Sequence, residues 1–446
     1  MNRLFSNQKL VRLIFPLVIE QTLATLVGMC DGIMVSSVGE AAISGVSLVD
    51  MINNVILVLF AALATGGAVV SSQLLGARQV EKARENAGQL VLLAGALGIA
   101  AMALCEVFAR GIMRLFFGSI DADVMTAGLL YLRITAASFP FIALYNAGAA
   151  IFRSVGNSKV SMQVSFLMNA INVGGNALCI YGLRMGVAGV AVPTLVSRAV
   201  AAVVILTLAA KPKQQLRLEK GNLTAVNHKM MRSILHIGIP SAMENSIFQL
   251  GRLVVVSMIA LFGTVQTSAN AVANTLDTMG ILVGQAMGLA MVTVVGQCVG
   301  AQDLEQVRYY VKKLMLWCYT AMGVCNALVI LFLDKLIGCY SSLSPETVEL
   351  IRTLVTIHAG CAIVLWPASF VLPNALRAAN DVKFTLLVGV GSMVAFRVLG
   401  SWLLCVQLGM GAIGVWIAMV ADWICRTGFF VGRMLSGKWK DKYHPA

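Results

Sequence analysis

GARQVEKAR occupies residues 76–84, and GAQDLEQVR occupies residues 300–308, so Gly, Ala, Glu and Arg recur in place after 224 residues. The same shift brings Pro16 onto Pro240, Glu20 onto Glu244, Gly39 onto Gly263 and Gln73 onto Gln297. Further along, RSVGNSK (153–159) meets RAANDVK (377–383). At a shift of 225, MGVAGV (185–190) meets MGAIGV (410–415). Chance identity is common in apolar sequence, but a constant offset held over such a length marks a duplicated unit.

Composition says what kind of unit is duplicated. Of 446 residues, 59% are hydrophobic and 12% charged, whereas soluble domains carry about a quarter charged residues. The apolar residues fall in long blocks, and a spanning helix needs roughly 20 of them. Twelve stretches qualify: 10–38, 42–66, 87–108, 124–152, 160–183, 187–210, 234–261, 267–296, 310–333, 347–375, 383–408 and 412–435. They are too long for the alternating segments of about ten residues that build a membrane β-barrel. The expectation is an all-α integral membrane protein with twelve transmembrane helices in two pseudo-symmetric six-helix lobes. Residues 1–210 and 233–446 form the lobes, and a basic linker, 211–232, joins them. Six crossings per lobe make the repeats parallel, related by an axis along the membrane normal. The linker reads as a cytoplasmic connection, with anionic-lipid recognition as the alternative.

The net charge of +13 reflects topology rather than a nucleic-acid partner. Lys and Arg gather at the termini and after even-numbered spans, as in Arg78, Lys82 and Arg84. Loops after odd-numbered spans hold only Arg110, Arg114, Arg184 and Lys335. Basic loops stay cytoplasmic, so both termini are expected there. The ten Cys are scattered without ligand spacing and read as apolar fillers. The 23 Met suit either ordinary packing or a promiscuous binding surface. The first span, with Pro16, Glu20 and Asp31, is too long for a cleaved signal peptide. No phosphate-binding loop, His-Glu-x-x-His or dinucleotide fingerprint occurs, so directed movement would draw on an ion gradient.

Charge inside a bilayer costs about 2.5–3.5 kcal/mol or more, which makes each buried acid a functional candidate. Glu20 and Asp31 are eleven residues apart and share a helix face, roughly 16 Å apart along the axis. Asp31 could take a proton or, with neighbouring oxygens, sodium; the alternative is a hydrogen-bonded packing residue. Asn169, Asn172 and Asn176 line one face of the fifth span and could border a polar cavity or glue helices together. Glu244 repeats Glu20, which suggests a shared structural role, and neither it nor Arg252 need pair with the other. Asn270, Asn274 and Asp277 in the eighth span mirror Asp50 and Asn53 in the second. Facing walls of a water-filled cleft and interhelical hydrogen bonding both remain open for them. Arg198, Arg397, Asp422 and Arg426 need partners, and Asp422 with Arg426 reads as a structural i,i+4 pair.

The sequence resembles the multidrug and toxic compound extrusion (MATE) transporters. The resemblance rests on Pro16, CDGIMVSSVG (30–39), GARQVEKAR (76–84), FRSVGNSK (152–159), GIPSAMENSIFQLGRL (238–253) and VVGQCVGA (294–301). It implies two six-helix lobes facing a central cleft, and alternating access. Organic cations would be exported in exchange for protons or sodium, without a cofactor, by a monomer in the cell inner membrane. Asp31 falls at the family's first-helix aspartate, assigned to cation coupling, and Asn172 at an asparagine beside it in one branch. Where that branch has a second aspartate, this chain has Asn176. An acid deeper in the seventh helix of the sodium-dependent branch falls near Phe248, a turn from Glu244.

The coupling candidates are therefore Asp31, Asn172 and Asn176, with Asp31 the ligand if sodium is carried. The cleft candidates are Glu20, Asp50, Asn53, Glu244, Asn270, Asn274 and Asp277. A lipid-linked oligosaccharide flippase of related architecture would instead need a cavity rich in Arg and Lys. An intramembrane enzyme would need a clustered catalytic site, and His228, His236, His358 and His444 lack the spacing for one.

Overall fold

The computed structural model describes residues 3–118, 121–340 and 343–442, and every regular element among them is helical; His444 lies outside them. Twelve long helices follow the predicted spans. In the first half these are α1 (Asn7–Ser36), α2 (Glu40–Gly76), α3 (Val80–Phe117), α4 (Ala122–Ala137 and Phe139–Ser154), α5 (Ser158–Gly182) and α6 (Ala188–Ala209). In the second they are α7 (His228–Ala260), α8 (Thr264–Gly300), α9 (Leu304–Leu331), α10 (Pro345–Ala378), α11 (Val382–Gln407) and α12 (Gly411–Ser436). Counting α4 once, eleven are long and apolar enough to cross a membrane. The other, α7, has the length at 33 residues, but Lys229, Arg232, Glu244 and Arg252 dilute its apolar character.

The helices run past the apolar blocks that predict them, α2 by ten residues at its C-terminal end, where the mostly buried segment GAVVSSQLLG (67–76) continues the hydrogen-bond ladder. The fourth span is predicted as one rod and is instead bent by 44°. Pro140 withholds a backbone donor at the break. Beside the break, the Ser138 hydroxyl donates to Thr135 O at 2.5 Å and accepts from Arg198 at 2.8 Å. Wide π-helical turns interrupt α10 at Pro367–Val371 and α11 at Met393–Leu399 and Trp402–Gln407.

The duplication extends to backbone conformation. Arg78 (φ 59°) and Gln302 (φ 56°), 224 residues apart, both take the left-handed region, as do Gly156 (φ 79°) and Asn380 (φ 65°). Beyond each, the next amide closes a wide cap onto the carbonyl five residues back: Gln79 to Leu74, Asp303 to Cys298, Asn157 to Phe152 and Asp381 to Leu376. This is the Schellman termination, repeated at the same two places in each half.

The chain packs as two compact units, which divide at Ala242/Met243 within α7 rather than in the linker; Leu4 joins the second unit. In the first unit, α2 meets the start of α7 backbone to backbone. A Cβ on Gly66 would lie 2.6 Å from Ile234 O and 2.9 Å from Gly238 N. The polar segment before α7 is also tied down. Gln89 on α3 donates to Asn222 O (3.2 Å) and Ala225 O (2.7 Å), and Asn227 donates to Glu85 at 2.7 Å. Outward-facing side chains such as Val107 (74% exposed), Leu115 (82%) and Leu435 (76%) would be costly in water and are at home in lipid. The protein is a multi-pass membrane protein.

Candidate cation and substrate sites

In the first unit, the seam between α1 and α5 holds a half-buried carboxylate, Asp31. Asn176 Nδ2 donates to its Oδ1 at 2.8 Å. Asn172 lies one turn away, and its neighbours orient its amide. With the oxygen accepting from Thr194 Oγ1 at 3.0 Å, Nδ2 donates to both Asp31 oxygens at 3.1 and 3.2 Å. Asn169 turns aside to Ser165 at 3.4 Å, so the asparagine stripe splits. Asn176 Oδ1 is buried and finds no hydrogen-bond partner among the described residues. An acceptor left over beside a carboxylate can receive an acid proton or contribute an oxygen to sodium.

Asp50, on α2, accepts from Tyr131 Oη at 3.1 Å and from Asn53 at 3.4 Å, and Asn53 also approaches Thr135 at 3.4 Å. Arg198 on α6 is within electrostatic range of both Asp31 and Asp50. Two carboxylates share one guanidinium, so this cluster carries a formal deficit of one positive charge. Glu20 lies apart from it. It is buried, accepts from Ser161 at 2.9 Å and pairs with Arg153 at 3.6 Å.

The second unit encloses a cavity of about 570 Å³ bordered by α7, α8, α10, α11 and α12. Glu244, Asn274 and Asp277 line it. Asn270 instead accepts from Trp416 Nε1 at 2.9 Å. Asp277 and His358 are both buried with 3.0 Å between Oδ1 and Nδ1, and His358 stands edge-on to Trp416 and Trp423. Glu244 pairs with Arg377 at 2.7 Å and approaches Arg426 at 3.9 Å. Arg426 also meets Asp422 at 3.0 Å, and Arg397 reaches Asp422 at 3.9 Å. Four arginines border this cavity: Arg252, Arg377, Arg397 and Arg426.

The candidate residues thus fall into separate groups. Asp31, Asn172 and Asn176 come together; Asp50 and Asn53 sit with Tyr131 and Thr135; Glu244, Asn274 and Asp277 share the second unit's cavity; Glu20 and Asn270 are engaged elsewhere. Sequence reasoning missed Arg153 and Arg377 as the partners of Glu20 and Glu244. Their signal was present, because all four residues obey the same 224-residue shift. It also missed His358, whose partner on α8 lies 81 positions away (358 against 277) and leaves no local spacing to read.

The sequence profile of the MatE family matches residues 16–178 and again 240–403, one copy in each half. The chain is 27% identical over 440 residues to the uncharacterized transporter YisQ of Bacillus subtilis, covering 97% of this chain and 95% of that protein. It is 24% identical to the probable multidrug resistance protein NorM of Thermotoga maritima, covering 98% and 94%. A solved outward-facing structure of a multidrug resistance MATE family transporter has the same fold, with a TM-score of 0.87 at 22% identity over 97% of this chain and 96% of that one. The duplicated helical architecture and the paired profile match agree, and the chain belongs to the MatE family of membrane transporters.

Proposed function

We propose that this protein exports organic cations from the cell by antiport with protons or sodium ions, alternating between inward and outward access. It would act as a monomer in the inner membrane with both termini cytoplasmic, without a cofactor or a catalysed reaction. The observation that carries this reading is Asp31, a carboxylate inside a spanning helix, held by Asn172 and Asn176 beside an uncommitted amide oxygen. Such a group is too costly in a bilayer to be incidental. Taking up a cation neutralises it, and releasing that cation on the other face restores its charge. Differential affinity of this kind lets a gradient shift a two-state equilibrium. The multidrug resistance names borne by relatives support the choice of organic substrates.

The flippase alternative asked for a basic cavity, and four arginines border the cavity of the second unit. Their charge is shared with Glu244 and Asp422, however, and about 570 Å³ suits a drug-sized molecule better than a lipid-linked oligosaccharide. Efflux of a cationic dye from vesicles under an imposed proton or sodium gradient tests the proposal. Asp31→Asn should abolish the gradient-dependent part. Full gradient-dependent transport by that variant would refute it.

A further inference from the structure

The segments that lead into α7 and α1 dock at matching places in the duplicated frame, with different chemistry. In the first unit, the Asn227 side chain donates to Glu85 on α3 at 2.7 Å, and its backbone amide donates to Gln89 at 3.0 Å. Arg84 beside them pairs with Glu81 at 2.9 Å. The 224-residue shift relates Asn227 to Arg3, Glu85 to Tyr309 and Gln89 to Lys313. In the second unit, Leu4 N donates to Gln306 Oε1 at 2.9 Å, and Arg3 lies over the Tyr309 ring at 4.5 Å. Lys313 lies 5.4 Å from that ring and 5.4 Å from the Trp317 ring.

A place closed by neutral and acidic hydrogen-bonding groups in one half is thus basic and aromatic in the other. Gly88 and Leu93 stand where the second unit has Lys312 and Trp317. Arg3, Arg308 and Lys312 are exposed, and none pairs with a carboxylate among the described residues. Of the nearby acids, Asp303 is taken by Gln306 at 3.0 and 2.7 Å, and Glu305 is exposed. Four cations therefore gather near one exposed carboxylate. Topology accounts for basic loops, but Arg308, Lys312 and Lys313 lie on the first turns of a spanning helix, interleaved with aromatic rings. Their face continues into lipid. At 100° per residue, Lys313, Leu316, Val324 and Leu331 fall within about 80° of one another, and all three apolar side chains are exposed.

We propose that the N-terminal end of α9 binds the phosphodiester of an anionic phospholipid. Lys312, Lys313 and Arg3 hold the headgroup, Tyr309 and Trp317 flank it, and the acyl chains follow Leu316 and Val324. Each Lys or Arg near a membrane surface attracts anionic headgroups, and Trp and Tyr settle at headgroup level. The site depends on the chain spanning a membrane and not on what it exports, so it goes beyond the transport reading.

Quenching of Trp317 reads this site in lipid nanodiscs that hold the full chain in phosphatidylcholine. The probes are phosphatidylglycerol and phosphatidylcholine with brominated acyl chains, and subtracting the signal of Trp317→Phe isolates the one indole. Brominated phosphatidylglycerol should reach half-maximal quenching at a mole fraction at least about 10-fold lower than brominated phosphatidylcholine, as two or more surface cations require. Lys312→Gln should raise that midpoint about 5-fold, the effect of one such cation, and Lys312→Arg should hold it. Lys312 is exposed and outside any ion pair among the described residues, so its replacement leaves the fold intact. Lys159→Gln, at the exposed start of α5 in the first unit, should leave the midpoint unmoved. Equal quenching by the two lipids would overturn the proposal, as would equal effects of Lys159→Gln and Lys312→Gln. Displacement of the brominated lipid by inorganic phosphate at matched ionic strength would assign the site to a free anion and overturn it too.

Discussion

Glu244→Gln should be among the most destabilising single changes in the second unit, and more damaging than the matching Glu20→Gln in the first. At an effective dielectric constant of about 20, the 2.7 Å contact with Arg377 corresponds to a gross attraction of about 6 kcal/mol, and the 3.9 Å contact with Arg426 to about 4 kcal/mol. Glu20 has the single 3.6 Å contact with Arg153, worth about 5 kcal/mol gross. Desolvation cancels most of each figure. What remains is the cost of leaving a partner charge buried, about 3–5 kcal/mol for a broken pair. Arg426 retains Asp422, whereas among the described residues Arg377 keeps only the neutral Asn374, at 2.8 Å. The upper end of that range therefore applies to Glu244 and the lower end to Glu20. At about 2–4 °C per kcal/mol for a unit of some 200 residues, Glu244→Gln should lower the unfolding temperature by about 10 °C or more. Glu20→Gln should lower it by clearly less. Reaction of the buried Cys298, Cys318 and Cys405 with a thiol-reactive fluorophore, at one fixed heating rate, reports the transition. An unfolding temperature within 2 °C of wild type for Glu244→Gln, or a larger loss for Glu20→Gln, would refute the reasoning. Replacing Glu244 and Arg377 together by apolar residues should recover much of the loss, because no charge is then stranded.

Three further outcomes follow from the geometry. Gly66→Ala should cost about 1–3 kcal/mol, since its Cβ would meet the α7 backbone, whereas Gly28→Ala, with nothing within 4 Å, should be neutral or slightly stabilising; thermal unfolding of the pair checks this. Asn176→Leu removes the 2.8 Å donor to Asp31, a hydrogen bond to a charged group, so the half-saturating concentration of the coupling cation should change about 10-fold or more; an unchanged saturation curve counts against the site. A membrane-impermeant maleimide should label Cys339, which follows α9 and is exposed, in intact cells lacking the other cysteines. It should label a Lys438→Cys variant only after permeabilisation, and the reverse pattern would invert the topology.

The sequence alone determined the class and the repeat, because both are one-dimensional properties. Twenty apolar residues in a row mean a spanning helix whatever surrounds them, and a duplication preserves its offset along the chain. For the same reason Asp31 and Asn172 were legible as a pair, through motifs that a family resemblance can match. The bend at Ser138 was not legible, since a proline near a helix start either opens a new helix or kinks an existing one, and packing chooses. Apart from the i,i+4 pair Asp422–Arg426, which spacing alone could show, tertiary structure decided which charges neutralise which. Glu244 finds Arg377 from 133 residues away, and Asp277 finds His358 across two helices, encounters fixed by how helices cross rather than by spacing within any of them. It alone also gathered Arg252, Arg397 and Arg426 around one cavity. An isolated arginine in an apolar span reads only as a cost, and its purpose depends on what the fold places opposite it.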